Sequence, residues 1–172
     1  AAYLLGLING NEQGLFEPDK SIQSAEAMKI LVRALGYEYL GETKGGYPAG
    51  YLQAANEIKL LRGVNITNGK ILSRYDMANL IFNALNIQIY SQSSFADNVV
   101  QLTQSGTLLE SVFDAELKTG IIVADGITSL SYSAKARKSH LTIDGNEYLC
   151  SLQSPAIYAG NMVEYICVDT EV

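Results

Sequence analysis

Two stretches of the chain follow one plan, and this repeat constrains the architecture more than any other feature, because self-similarity at a fixed spacing implies units that complete their cores by stacking. "IQSAEAMKILVRAL" (residues 22–35) and "ILSRYDMANLIFNAL" (residues 71–85) place apolar side chains at matching helical positions, with Ala27, Met28, Leu31, Ala34 and Leu35 aligned on Met77, Ala78, Ile81, Ala84 and Leu85 at an offset of 50. Upstream, "GLING" (residues 6–10) aligns with "KLLRG" (residues 59–63) at an offset of 53. The difference falls in the intervening loop, "NEQGLFEPDKS" against the shorter "VNITNGKI". Surface loops are where insertions are tolerated.

Each copy is expected to be a helix, a loop and a helix. In the second copy Tyr51, Leu52, Ala55, Ile58 and Leu61 form an apolar stripe at three- and four-residue spacing, and Gly63 is expected to close that helix as a left-handed stop. The next helix opens with Ser73 as N-cap and Asp76 three residues on, an approximate capping box that puts Arg74 at the first helical position. In the first copy Gln23 stands at the cap and Ser24 at the place of Arg74, while Glu26 remains at N3. A weaker cap is expected there, unless Ser21 or Ser24 takes over. The first copy is expected to begin inside its helix at Ala1. Gly10, Gly14 and Gly63 are read as backbone devices, since no GxGxxG or Walker pattern makes them phosphate cradles.

Composition narrows the function classes. Hydrophobic residues make up 48% of the 172 residues, which predicts packed cores. Residues 1–88 hold eight basic and eight acidic side chains, residues 89–172 four and ten, so the whole net charge of −6 sits in the second half. Neither half has the basic stripe that nucleic-acid binding requires. No apolar run approaches the roughly twenty residues needed to span a bilayer, so no membrane insertion is expected. The opening "AAYLLGLING" also lacks the basic n-region of a signal peptide.

After "NALN" the texture changes. Residues 88–105 are Ser/Gln-rich and are expected to be a linker with a strand at its start. A short helix is expected at "TLLESVF", then five short strands, "KTGIIVAD", "TSLSYS", "SHLTIDG", "NEYLCSL" and "NMVEYICVD", separated by turn residues. Asp144-Gly145 reads as a hairpin turn. The expected fold class is α+β multidomain: all-α repeats over residues 1–87 (about 1–37 and 47–87), the linker, and a small β-barrel or sandwich over residues 106–172. Cys150 and Cys167 lie in strands, either as one disulfide or as buried thiols.

Chemistry is sparse. His140 stands alone beside "KARKSH" and is read as structural or exposed. No His, Cys or carboxylate cluster has metal-ligand spacing, and no carboxylate pair stands out as hydrolytic. No enzymatic activity, metal or cofactor is expected, although a wall-acting hydrolase using the β-rich part is a third possibility.

The residues also carry a resemblance. "LINGNEQGLFEPDKSIQSAEAMKILVRALGY" resembles an S-layer homology (SLH) repeat: an apolar helix ending in Gly, a loop like Asp-Gly-Thr-Phe-x-Pro, then Thr-Arg-Ala-Glu opening a second helix. Gly14, Phe16 and Pro18 match the loop, with Gln13 and Leu15 where the family has Asp and Thr. "YPAGYLQAANEIKLLRG" is similar to the family's Trp-Ala-x-x-Tyr opening, with Tyr47 for Trp and Tyr51 for Tyr, and "SRYD" stands for Thr-Arg-Ala-Glu. "ALGYEYLGETKGGYPAGYL" is similar to the segment between the second and third repeats of clostridial SLH proteins, which implies a first repeat upstream of Ala1. "TLLESVF" with "TGIIVAD" also resembles the segment C-terminal to the repeats in such proteins, without implying an activity.

The resemblance implies a three-repeat spindle that holds a Gram-positive surface protein non-covalently on an anionic secondary cell-wall polymer, hence an extracellular place in the wall or on the cell surface. In that family the arginine lies in a groove between repeats and pairs with a carboxylate or ketal of the polymer. A guanidinium fork beside a helix N-terminus suits such a group. Carried over, Arg74 is the polymer-binding residue, framed by Ser73 and Asp76. Ser24 and Glu26 hold the matching places in the first copy, where Ser24 lacks the charge but could donate one hydrogen bond. Tyr47 and Tyr51 either stack a sugar ring or pack in the core. Against these stand two plainer readings: Arg74 as a solvated residue paired with Asp76 or Glu57, and degenerate repeats that serve as an assembly module, packing on an upstream repeat or another chain.

Overall fold

Among the buried positions of helix α1 (Ser24–Ala34), Met28 and Val32 are spaced one turn apart, and Leu35 just beyond its end continues the stripe. Gly36 then ends the helix with φ +82°: its N–H donates to the Arg33 carbonyl and the Tyr37 N–H to the Val32 carbonyl, both at 2.9 Å, the paired closure of a Schellman motif. The computed structural model describes residues 2–4, 6–11, 13–96, 99–130, 135–150 and 159–168, with backbone alone for 92–96 and 99–102. The chain divides into two units, Ala1–Phe113 and Asp114–Val172.

In the first unit α1 is followed by α2 (Glu38–Thr43), α3 (Ala49–Glu57) and α4 (Arg74–Leu85). Their core joins Met28, Val32 and Leu35 to Tyr51, Ala55, Leu60 and Leu80. Helix α3 stops earlier than Gly63. Lys59 takes the left-handed conformation at φ +64°, its N–H bonded to the Asn56 carbonyl at 3.0 Å and the Leu60 N–H to the Ala55 carbonyl at 2.9 Å. Closing there swings Leu60 into the core, and Gly63 (φ +73°) serves the next turn instead. The expected helix at the chain start is a turn, with Gly6 N–H on the Tyr3 carbonyl at 3.0 Å.

The two loops that precede α1 and α4 pair with each other. Ser24 N–H donates to the Lys70 carbonyl at 2.8 Å, Leu72 N–H to the Ile22 carbonyl at 3.2 Å, and Gln23 bridges Ile71. The starts of the two helices are therefore held side by side.

Residues expected to be a linker form an antiparallel hairpin, β1 (Gln88–Ala96) with β2 (Val99–Thr107). Its base is fastened to the helices: Tyr90 N–H donates to the Leu35 carbonyl at 3.1 Å, and the Tyr90 ring meets Tyr37 edge-on with centroids 5.1 Å apart. Ile87, Ile89 and, from the short helix α5 (Leu108–Phe113), Leu108 pack on the same core, which moves the unit boundary beyond the hairpin.

The second unit contains one antiparallel sheet in the order β5-β4-β3-β6, from β3 (Ala115–Ala124), β4 (His140–Ile143), β5 (Asn146–Leu149) and β6 (Met162–Val168). Among the described residues it does not close into a barrel. Asp144 and Gly145, at φ +48° and +90°, make the turn between β4 and β5, as a two-residue hairpin requires. Of the expected "TSLSYS" strand only Ser129 bridges Ala124, and residues 131–133 lie outside the described residues. Ile122, Leu141 and Ile143 form the core. Asp125 is buried, its carboxylate accepting from the Ile127 and Thr128 N–H groups and the Thr128 hydroxyl at 2.6 Å each. Cys150 and Cys167 are half-buried and not joined by a disulfide. His140 Nδ1 lies 2.9 Å from the Lys138 carbonyl.

Candidate functional site

Ser73 and Asp76 build the start of α4. The Asp76 N–H donates to Ser73 Oγ at 3.1 Å, while Asp76 Oδ2 accepts from the Ser73 N–H at 3.0 Å and its hydroxyl at 2.7 Å. Lys70 Nζ adds an ion pair at 3.0 Å to Asp76 Oδ1 and donates to the Asn65 carbonyl at 2.8 Å. The Ser73 N–H foremost, then the Ser73 hydroxyl and the Lys70 ammonium, hold the Asp76 carboxyl down at about 2. Asp76 is thus committed to the helix start. Glu57, the other carboxylate offered to Arg74, is paired with Lys44 at 2.6 Å. The Arg74 side chain is exposed and makes no ion pair or hydrogen bond with a described residue.

The corresponding residues of the first copy are placed differently. Ser24, expected to offer a hydroxyl to a ligand, is fully buried and spends that hydroxyl on the Thr67 carbonyl at 2.8 Å. A small side chain is required there because the two loops cross over it. Glu26 accepts from the Gln23 N–H at 2.8 Å, so the carboxylate caps the helix start even though Gln23 is a poor cap residue. Tyr51 is a core residue: it is buried, and its hydroxyl donates to Glu42 Oε1 at 2.7 Å. Burial, then the hydrogen bond to Glu42, push its phenol above the ordinary range. Tyr47 is half-exposed.

A cleft of about 900 Å³ lies between the first loop and α1, lined by Asn9, Phe16, Lys20, Lys29, Arg33 and Tyr47 among others. Gly10 and Gly14, at φ +78° and +72°, shape its loop wall; a Cβ on Gly10 would lie 2.9 Å from the Gly14 carbonyl carbon. Asn11 Oδ1 braces the same turn, accepting from the Gln13 and Leu15 N–H groups at 3.0 and 2.9 Å. Lys29 Nζ lies over two rings, 5.3 Å from the Tyr47 centroid and 5.9 Å from that of Tyr51. The cleft brings together Gly10, Glu26 and Tyr47 of the expected site residues, whereas Arg74, Ser73 and Asp76 are not among those that line it. Lys29 is the residue that sequence reasoning missed. Its position on α1 carries no motif, and its aromatic neighbours come from another helix and its approach.

No family model matches the chain, and no solved structure gives a significant match. Curated proteins do match. A cell surface protein of Thermoanaerobacter kivui is 34% identical over 86 residues, half of this chain and 11% of that protein. A middle cell wall protein of Brevibacillus brevis is 29% identical over 103 residues, and a surface layer protein of Brevibacillus choshinensis 25% over 103, each covering 60% of this chain. The chain spans about a tenth of the length of the relatives it matches, 10% and 9% for the latter two. No helix among the described residues is long and apolar enough to cross a membrane.

Proposed function

We propose that residues 1 to about 87 form SLH-type repeats that help fasten a bacterial surface protein, non-covalently, to an anionic secondary polymer of the Gram-positive cell wall. The chain works outside the cell, in the wall or at the cell surface, as do the proteins it resembles by name. The observation that carries this reading is the state of Arg74: an exposed guanidinium at the first turn of α4, with both carboxylates that the sequence offered it, Asp76 and Glu57, already held by lysines. A cation without a partner among the described residues, beside a helix N-terminus, suits a carboxylate or ketal of the polymer. Such a charge-assisted bond contributes about 1.5–3 kcal/mol, roughly ten- to a hundredfold in affinity. Linked repeats then reinforce one another through effective concentration.

Sedimentation with purified walls tests this, using walls before and after chemical extraction of the polymer. The chain, or an upstream-extended form of it, is expected to sediment with intact walls alone, and Arg74→Ala to weaken that by about tenfold or more. Equal sedimentation with stripped walls, or none by either form, refutes anchoring.

One observation favours the assembly reading. Tyr75, Ile81 and Phe82 are exposed on α4, the helix that Arg74 opens, and leave apolar surface suited to protein. In that case Phe82→Glu abolishes association with an upstream repeat or a second chain, while Arg74→Ala changes nothing on walls.

A further inference from the structure

We infer that the first copy has a ligand site of its own, built on Lys29 instead of the position Ser24 occupies, and that it takes a carboxylate-bearing sugar ring of an acidic glycan. The inference rests on the glycan-binding reading above but concerns different residues and a different place. Three cations line the cleft. Lys20 lies 3.6 Å from Glu17, and Arg33 Nε is 3.0 Å from Glu38, so both are paired within the protein. Lys29 meets no carboxylate among the described residues. Its ammonium is held over the Tyr47 and Tyr51 rings instead. Ring faces attract a cation without neutralising its charge, so among the described residues the ammonium is positioned without a carboxylate partner.

The surroundings select the kind of anion. Tyr51 is buried and holds the ammonium from the core side, while Tyr47 is 50% exposed at the cleft and offers ring surface to the apolar face of a sugar. Asn9 and Ser21 line the same cleft with polar groups suited to hydroxyls. Glu26 also lines it, but its carboxylate is engaged by the Gln23 N–H. An acidic peptide would use the ammonium and leave the half-open ring and the amide wall without a role.

Titration of the whole chain with methyl β-glucuronide, followed by NMR, tests the site, with neutral methyl β-glucoside and a short polyglutamate peptide as controls. Saturable shifts at Lys29 and Tyr47 are expected with the glucuronide alone. Lys29→Met, which keeps the unbranched stem on the rings, is expected to lose about tenfold or more in affinity. Lys29→Arg is expected to retain it, and Lys29→Gln serves should the methionine variant misfold. The inference is overturned if the uncharged variants bind as the parent does, if the glucoside binds equally, or if polyglutamate produces the response and the glucuronide does not. Sedimentation with walls but no glucuronide response overturns this site alone. A glucuronide response without wall sedimentation overturns the anchoring reading alone, and neither response overturns both.

Discussion

Gly36 and Tyr90 meet backbone to backbone: Gly36 holds φ +82° against the Tyr90 carbonyl, and a Cβ on Gly36 would overlap that oxygen. Two requirements coincide here, a left-handed helix stop and a close approach that only glycine permits. Gly36→Ala is therefore expected to destabilise the first unit by at least about 2 kcal/mol, combining left-handed strain with overpacking. Urea denaturation monitored by helical circular dichroism measures it, and a loss under about 0.5 kcal/mol contradicts the close contact.

Lys59 offers the opposite change. It ends α3 in the left-handed region at φ +64°, where a Cβ is strained. Lys59→Gly is expected to stabilise the unit by about 0.5–1 kcal/mol, the relief of strain exceeding the added freedom of the unfolded chain. A lower midpoint in urea than the parent's would show that the lysine stem contributes more than its backbone costs.

The capping box at α4 is expected to make stability depend on acid. Asp76 has an ordinary value of 3.8 and is held at about 2 in the folded chain, so its contribution is present above pH 4 and is lost as pH falls towards 2. Asp76→Asn should flatten the decline across that window, and Ser73→Ala should lower stability at neutral pH by about 1 kcal/mol. Denaturation midpoints measured from pH 6 down to about 2 decide it; parallel curves for parent and Asp76→Asn would exclude the box as a contributor.

At the alkaline end Tyr51 contributes. Its phenol is raised above the ordinary 10.0 by burial and by Glu42, so it stays neutral in the fold and adds stability that is complete below pH 10 when the unfolded phenol is also neutral. Above pH 10 the unfolded chain releases that proton and the folded chain does not, so stability falls as pH rises. Tyr51→Phe is expected to cost about 1 kcal/mol at neutral pH and to remove its share of the alkaline slope. An unchanged slope between pH 9 and about 11.5 counts against this assignment.

Much of the helical part was legible in sequence. The apolar spacing of Ala27, Met28, Leu31 and Leu35 marked α1, and Ser73 with Asp76 marked the start of α4, because these signals lie within one helix and use its own turns. Asp144-Gly145 was legible for the same reason: positive φ is a property of the residues in the turn. The stop at Lys59 was not. Gly63 is the better left-handed former, and Lys59 prevails because closing there buries Leu60.

Local chemistry, then, settled from sequence alone where α1 and α4 begin and where the β4–β5 turn falls. Tertiary structure decided the rest. Residues 88–96 and 99–107 paired as strands because Leu35 and Tyr37 receive Tyr90, Ser24 became a buried crossing point because Thr67 takes its hydroxyl, and Lys29 became a cation held over rings because Tyr47 and Tyr51 reach it. In each case the partner is supplied by another element, and spacing along one helix or strand carries no record of a contact that only packing creates.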